Sequence, residues 1–191
     1  YTTGTVAITQ GSTTVTGTST LWTTANAYAE NNARTTGKMG FGGSNIYRIT
    51  TVGSDTSITL TDRVVDATAA TSSYTYWEDA YALASDFLRP IDWRIFSDVT
   101  NIKLIGRNEW RKRFPRPNIS GTPHTATLLD LGVSGDTTLI KRVQFYPYPS
   151  TTFIIPYSYI TNTLAFSSAG VAATSMSADA DEPNIPLGYR H

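Results

Sequence analysis

The 191-residue chain contains no cysteine, which excludes disulfide stapling, thiol chemistry and cysteine-ligated zinc. It has only two histidines, His124 and His191. A Ser-His-Asp triad would have to use one of them, and neither lies near a strained nucleophile turn of the G-x-S-x-G type. Net charge is also absent: 15 Lys+Arg balance 15 Asp+Glu, so no global field recruits nucleic acid or an anionic membrane. No apolar run approaches the ~20 residues of a membrane span, and no charged-then-apolar signal segment is present. The length is enough for one large domain or two small ones with a real core.

Proline is missing from the first 71 residues, which carry 20 threonines. Threonine is β-branched and suits a half-exposed pleated strand. "TVAIT" and "TTVTG" alternate apolar and polar residues around "QGS", the pattern of a β-hairpin. "KMGFGGSNIYRITTV" and "SITLTDRVV" give further short strands, broken by turn signals at "GGSN" and "GSD". "LWTTANAYAENNAR" between them is less regular and reads as a loop with a helical turn. Residues 1–72 are expected to form a small antiparallel β-barrel or sandwich module.

After the Ser/Thr/Ala connection "DATAATSSYT" the composition changes: all nine prolines and three of the four tryptophans lie beyond residue 72. "RPIDWRIF" and "NIKLI" read as strands, as do "HTATLLDL", "LIKRVQFYPYP" and "TTFIIPYSYI". A Gly/Asp turn at "GVSGDTT" and a Pro-Ser turn near Pro149 join the last three. Pro156 inside the final apolar run points to an edge position or a bulge. "RNEWRKRF" reads as a short helix with Asn108 as N-cap and Pro115 ending it. The tail "SSAGVAATSMSADADEPNIP" has little periodicity and reads as an extended arm. The fold class is therefore mainly β, with a second β-rich body over residues 73–191.

Chemistry-bearing motifs are weak. "GKMGFGGSN" is glycine-rich but matches neither the Walker loop nor the dinucleotide fingerprint, and turns between strands explain it. Asp179, Asp181 and Glu182 are oxygen donors suited to calcium, yet they lack EF-hand spacing. An acidic patch in a polar arm is ordinarily solvated. "NIS" at Asn118 is a formal glycosylation sequon. No pair of carboxylates is singled out for glycoside hydrolysis. No catalytic residue, metal or cofactor is expected.

The aromatics and one basic stretch stand out. Tyr74, Tyr76, Trp77 and Tyr81 cluster near the domain junction. Tyr146, Tyr148, Tyr157 and Tyr159 are placed on two strands expected to be neighbours. Such clusters serve either as stacking platforms for sugars or bases, or as core and subunit-interface packing. In "RNEWRKRFPR" five cations, Arg107, Arg111, Lys112, Arg113 and Arg116, face a single acid, Glu109. On a helix, Trp110 and Phe114 lie four apart and face one way, an aromatic anchor with cations projecting outward. Those cations have three readings: solvated charge, inter-subunit ion pairs, or DNA contacts.

"ALASDFLRPIDWRI", "NEWRKRFP", "SGTPHTATLL", "LIKRVQFYPYP", "FIIPYSYI" and "DADEPNIPLGYRH" occur in that order. Over residues 77–191 this series resembles the head-to-tail adaptor proteins of tailed bacteriophages, the neck or connector subunits that join the portal to the tail. "GTVAITQGSTTVTGTSTLW" with "YRITTVGSDTSITLTDRV" resembles a small β module common in phage structural proteins, including tail and fibre components. The family's flanking helices are absent here; the lack of an initial Met and the "GYRH" end fit a chain whose end segments lie beyond this sequence or have been removed, and the alternative is a true β-only protein.

The resemblance implies a structural virion protein and no enzyme. It implies a homo-oligomeric ring, commonly of about twelve copies, that binds the portal protein and a downstream tail, nozzle or stopper protein. Genomic DNA would pass through the channel transiently, without membrane contact. Location in the virion neck, after assembly in the bacterial host cytoplasm, follows from the same resemblance. The interface residues it implies are Arg107, Trp110, Arg111, Lys112, Arg113, Phe114, Arg116, Tyr146, Tyr148, Tyr157 and Tyr159. Two further readings remain: another tail, baseplate or fibre-associated module, and a carbohydrate-binding β protein using the tyrosines.

Overall fold

The computed structural model describes residues 1–27, 29–95, 98–132, 139–152, 154–173, 175 and 182–184. The fold is mainly β, as expected. In chain order the strands begin with β1 (Thr5–Ile8), β2 (Thr14–Thr18), β3 (Lys38–Gly40), β4 (Tyr47–Ser54), β5 (Ser57–Leu60), β6 (Ala69–Ser72) and β7 (Thr75–Trp77). There follow β8 (Ala80–Ala82), β9 (Phe87–Ile95), β10 (Asp98–Asn101), β11 (Lys103–Leu104), helix α1 (Arg107–Arg113) and β12 (Ser120–Gly121). The remainder are β13 (Thr125–Gly132), β14 (Leu139–Tyr146), β15 (Tyr148–Pro149), β16 (Tyr157–Thr161), β17 (Ala165–Phe166), β18 (Ala172–Ala173) and β19 (Glu182–Pro183). The chain forms two compact units. The first combines Tyr1–Tyr81 with Leu104–Leu129 and Val143–Thr152; the second comprises the described parts of Ala82–Lys103, Asp130–Arg142 and Phe153–His191.

The threonine-rich segment builds a seven-stranded sheet of order β6-β1-β2-β5-β4-β3-β7. The hairpin read from "TVAIT-QGS-TTVTG" forms with Thr5 opposite Thr18 and Ile8 opposite Val15, and Gly11 takes its turn at φ +82°. Period-two alternation sends Val6, Ile8, Val15, Ile58 and Leu60 inward while threonines face water. Each fully buried aliphatic side chain contributes about 1.5–3 kcal/mol. Gly17 faces a close approach: a Cβ there would lie 2.2 Å from Thr20 Oγ1 and 2.9 Å from the Trp22 ring.

Trp22 fills the core from the irregular segment between β2 and β3, its indole N–H donating to the Tyr74 hydroxyl at 3.0 Å. That segment contains turns and an isolated bridge between Ala25 and Asn31, and its described residues form no helical turn. Side-chain anchoring replaces helix formation there. Asp55, in the β4–β5 turn, accepts hydrogen bonds from the Thr23 and Thr24 backbone N–H groups at 2.7 and 3.0 Å and from both hydroxyls.

Strands β11, β13, β14 and β8 are ordered β11-β13-β14-β8, and β12 pairs in parallel with β15. The N-cap of helix α1 lies two residues before the Asn108 that the sequence indicates. Gly106, extended at φ −67° and ψ 152°, is the N-cap without a side-chain cap, and Asn108 lies inside the helix. The Trp110 N–H bonds to the Gly106 carbonyl at 2.9 Å, so the phase follows the buried tryptophan rather than a capping side chain. The C-terminus falls at Phe114, at φ −126° and ψ 68°, because the following Pro115 disfavours the α region for its predecessor.

In the second unit, β9 lies between β10 and β16. Tyr159 pairs with Pro90 and Ser158 with Asp92, so Ile91 is an extra residue and the register shifts there. Pro90 offers no N–H to the ladder, which is the usual place for a bulge. Pro156 directly precedes β16 instead of interrupting it. Part of the stretch expected as an extended arm is strand: β18 and β19 flank β17. The "GVSGDTT" turn and Asp179 and Asp181 lie outside the described residues, apart from Gly132 at the end of β13. No helix among the described residues is long and apolar enough to cross a membrane.

Candidate functional site

The basic stretch is built on an aromatic anchor within the first unit. Trp110 is 4% exposed and meets Phe114 edge-on, centroids 5.1 Å apart. It also meets Tyr146 edge-on at 6.4 Å, while Phe114 stacks on Tyr146 at 3.8 Å. His124 adds an edge contact to the same Tyr146 ring at 5.8 Å, and its Nδ1 lies 2.8 Å from the Thr125 hydroxyl. The expected division of the helix into anchor and outward cations is present in this geometry.

Of those cations, Arg113 pairs with Glu109 one turn back, at 2.6 Å. Exposed i,i+4 pairs of this kind contribute about 0.3–0.5 kcal/mol. Arg107, Arg111, Lys112 and Arg116 are exposed and form no ion pair among the described residues. Beside Arg107 lies a depression of about 290 Å³, lined also by Leu104, Ile105, Gly106, Thr127 and Leu128. Its walls are chiefly aliphatic. Thr127 is 1% exposed, and its hydroxyl has no hydrogen-bond partner.

The four tyrosines of the second cluster do not share neighbouring strands. Tyr146 ends β14, whose partners are β13 and β8, whereas Tyr157 and Tyr159 lie on β16, beside β9. The turn after Tyr146 sends the chain through β15 and onward before β16 begins, so adjacency in sequence does not become strand pairing. Tyr148, on β15, stacks on Trp77 at 5.6 Å. In the second unit Tyr157 and Tyr159 pack on each other at 5.5 Å and on Phe87 at 6.2 and 5.5 Å. Their hydroxyls are occupied: Tyr157 accepts from the Ala84 N–H, and Tyr159 donates to Asp86 at 2.8 Å. Donors from Thr161 and Tyr159 hold the Asp86 carboxyl below its ordinary range.

Two polar clusters escaped sequence reading. Glu78 accepts from Arg34 Nε at 2.9 Å and Nη2 at 2.5 Å, from the Thr36 hydroxyl at 2.7 Å and from the Tyr76 hydroxyl at 2.8 Å. Burial opposes its ionisation, but the donors together outweigh burial and hold the carboxyl below the usual range. Burial is the main cause raising Tyr76 and Tyr81 beside it, and it pushes Tyr74, which bonds Trp22, up to about 12. Asp79 is 0% exposed, and its Oδ2 receives Lys38 Nζ at 2.5 Å and Gln144 Nε2 at 2.7 Å. Its Oδ1 and the neighbouring Trp77 indole N–H are buried without hydrogen-bond partners. The adjacent acids in "YWEDAY" were the available signal, since an acid pair inside an aromatic run must find donors when buried.

Among the described residues no group of three or more His, Asp or Glu side chains is arranged to hold a metal. The arrangement around α1 offers exposed positive charge beside an apolar hollow. No protein-family profile, curated protein or solved structure matches the chain.

Proposed function

We propose that this chain is a structural virion subunit, an adaptor that assembles as a ring between the portal and the tail of a tailed phage and extends the DNA channel. The observation that carries this reading is helix α1. Trp110, Phe114 and Tyr146 lock its aromatic side to the body, while Arg107, Arg111, Lys112 and Arg116 are exposed and form no ion pair among the described residues. A helix of only seven residues has little intrinsic stability, so its rigidity comes from this packing. Fixed, uncompensated charge on a rigid element suits docking of another protein. The ordered motifs over residues 77–191 supply the family expectation. DNA sliding through such a ring must avoid tight phosphate contacts, which assigns the cations to protein interfaces.

The test is the charge-reversal pair Arg111→Glu with Arg113→Glu in the full-length protein. Ring assembly or portal docking is expected to fail. If both survive and only DNA packaging or ejection changes, the helix lines the channel instead.

A further inference from the structure

We infer that the hollow beside Arg107 is a docking pocket for an extended acidic segment of a partner protein. The segment seats one aliphatic side chain among Leu104, Ile105 and Leu128 and sets its carboxylates on Arg107 and Arg111. This deepens the docking reading of α1 and rests on it. The hollow measures about 290 Å³, below the size at which pockets hold drug-sized ligands. It suits a single side chain. Leu104, 37% exposed, gives it apolar walls together with Ile105 and Leu128, and such walls favour an aliphatic group over water. Strand β11 is the outer strand of its sheet. Ile105 turns its N–H inward, to the Ala126 carbonyl at 2.9 Å, so alternation along the extended chain turns the Leu104 backbone groups away from β13. An edge of that kind takes an added strand.

Charge and hydrogen bonding select the rest of the segment. Arg107 and Arg111 stand one turn apart on α1, where like charges repel, and neither forms an ion pair among the described residues. The helix's one acid, Glu109, is held by Arg113 at 2.6 Å. Lys112 and Arg116 extend the exposed basic surface. That surface complements carboxylates. Apart from Arg107, the one polar side chain among the described lining residues is Thr127, 1% exposed, whose hydroxyl has no partner. Burying a hydroxyl without a partner is costly, and the carbonyl groups of a seated segment are acceptors for it. Nucleic acid meets only half of these features. Phosphates would find the arginines, but a base needs an exposed ring to stack on. Trp110 is 4% exposed and packs on Phe114 and Tyr146, and the walls of the hollow are aliphatic.

Fluorescence anisotropy of a labelled peptide, Ser-Asp-Asp-Leu-Asp-Asp-Ser, titrated with the full-length protein tests the pocket. Saturable binding is expected below about 1 mM, weakening as salt rises. Alanine in place of the peptide's leucine should weaken it about 10-fold. Arg107→Glu with Arg111→Glu is expected to cost about 10-fold or more. Gly106→Phe should block the hollow with every charge kept. A Cβ at Gly106 meets nothing within 4 Å, and its φ of −67° admits any side chain. Thr127→Val should leave the fold intact, having no hydrogen bond to break, and weaken peptide binding. The inference is overturned if no saturable binding appears, if the alanine peptide binds as well as the leucine peptide, or if Gly106→Phe binds like wild type. It is also overturned if a DNA duplex binds the same face more tightly than the peptide. Loss of self-association in Gly106→Phe, read by sedimentation velocity while the peptide stays unbound, would make the occupant a second copy and overturn it too. A ring that assembles on the portal without binding the peptide leaves the ring reading standing. A protein that binds the peptide but never assembles keeps the pocket and removes the ring reading.

Discussion

The rings of Phe114 and Tyr146 stack at a centroid separation of 3.8 Å with planes 23° apart. This contact ties the residue that terminates α1 to the end of β14, so helix and sheet present the cations as one piece. Offset stacked pairs contribute about 0.5–1.5 kcal/mol beyond area burial. A double-mutant cycle with Phe114→Ala and Tyr146→Ala, followed by urea denaturation, should return a coupling of that size. Trp110→Ala should cost more, about 3–5 kcal/mol, because it also leaves a cavity.

Lys38 and Asp79 form the most buried ion pair in the first unit, with Asp79 0% exposed. Removing one partner of such a pair leaves an uncompensated buried charge, which costs about 3–5 kcal/mol. Lys38→Met alone is therefore expected to destabilise strongly. Lys38→Met with Asp79→Leu should be less damaging than the single change, since both charges are gone. Chemical denaturation of the two variants in parallel decides the point; a double variant much worse than the single would contradict it.

Glu78 sets the acid limb of stability. Its folded-state carboxyl is held below the ordinary value of 4.5, so near that pH the unfolded chain binds more protons than the folded one. Its contribution is complete above the ordinary carboxylate range and is lost as pH falls through the depressed folded value. Glu78→Gln should lower stability at neutral pH and flatten the stability–pH curve below about pH 4.5. Thermal melts between pH 3 and 7 would show it; an unchanged slope would mean other carboxylates dominate.

Local patterns carried much of the fold. The β1–β2 hairpin, the short strands around "GGSN" and "GSD", and the helix stop at Pro115 all follow from alternation and turn chemistry. Longer-range features were not legible. The segment that includes Trp22 is fixed by Asp55, more than thirty residues on, so its own sequence shows neither the anchor nor the missing helical turn. The helix start moved to Gly106 because Trp110 burial, not Asn108, sets the phase. Tyr146 and Tyr157 look adjacent in sequence but belong to strands with different partners. At the site, i,i+4 spacing identified Trp110 and Phe114 as an anchor, but Tyr146 as the third ring, and the pocket with Thr127, depend on tertiary packing.

The central claim is that this protein works as a ring-forming adaptor. Native mass spectrometry combined with electron microscopy of the full-length protein, with and without portal protein, tests it most directly. The account predicts closed homo-oligomeric rings that stack on the portal and lose that assembly when Arg111 and Arg113 are reversed to glutamate. Monomers alone with portal present, or a position in the virion far from the portal, would contradict it.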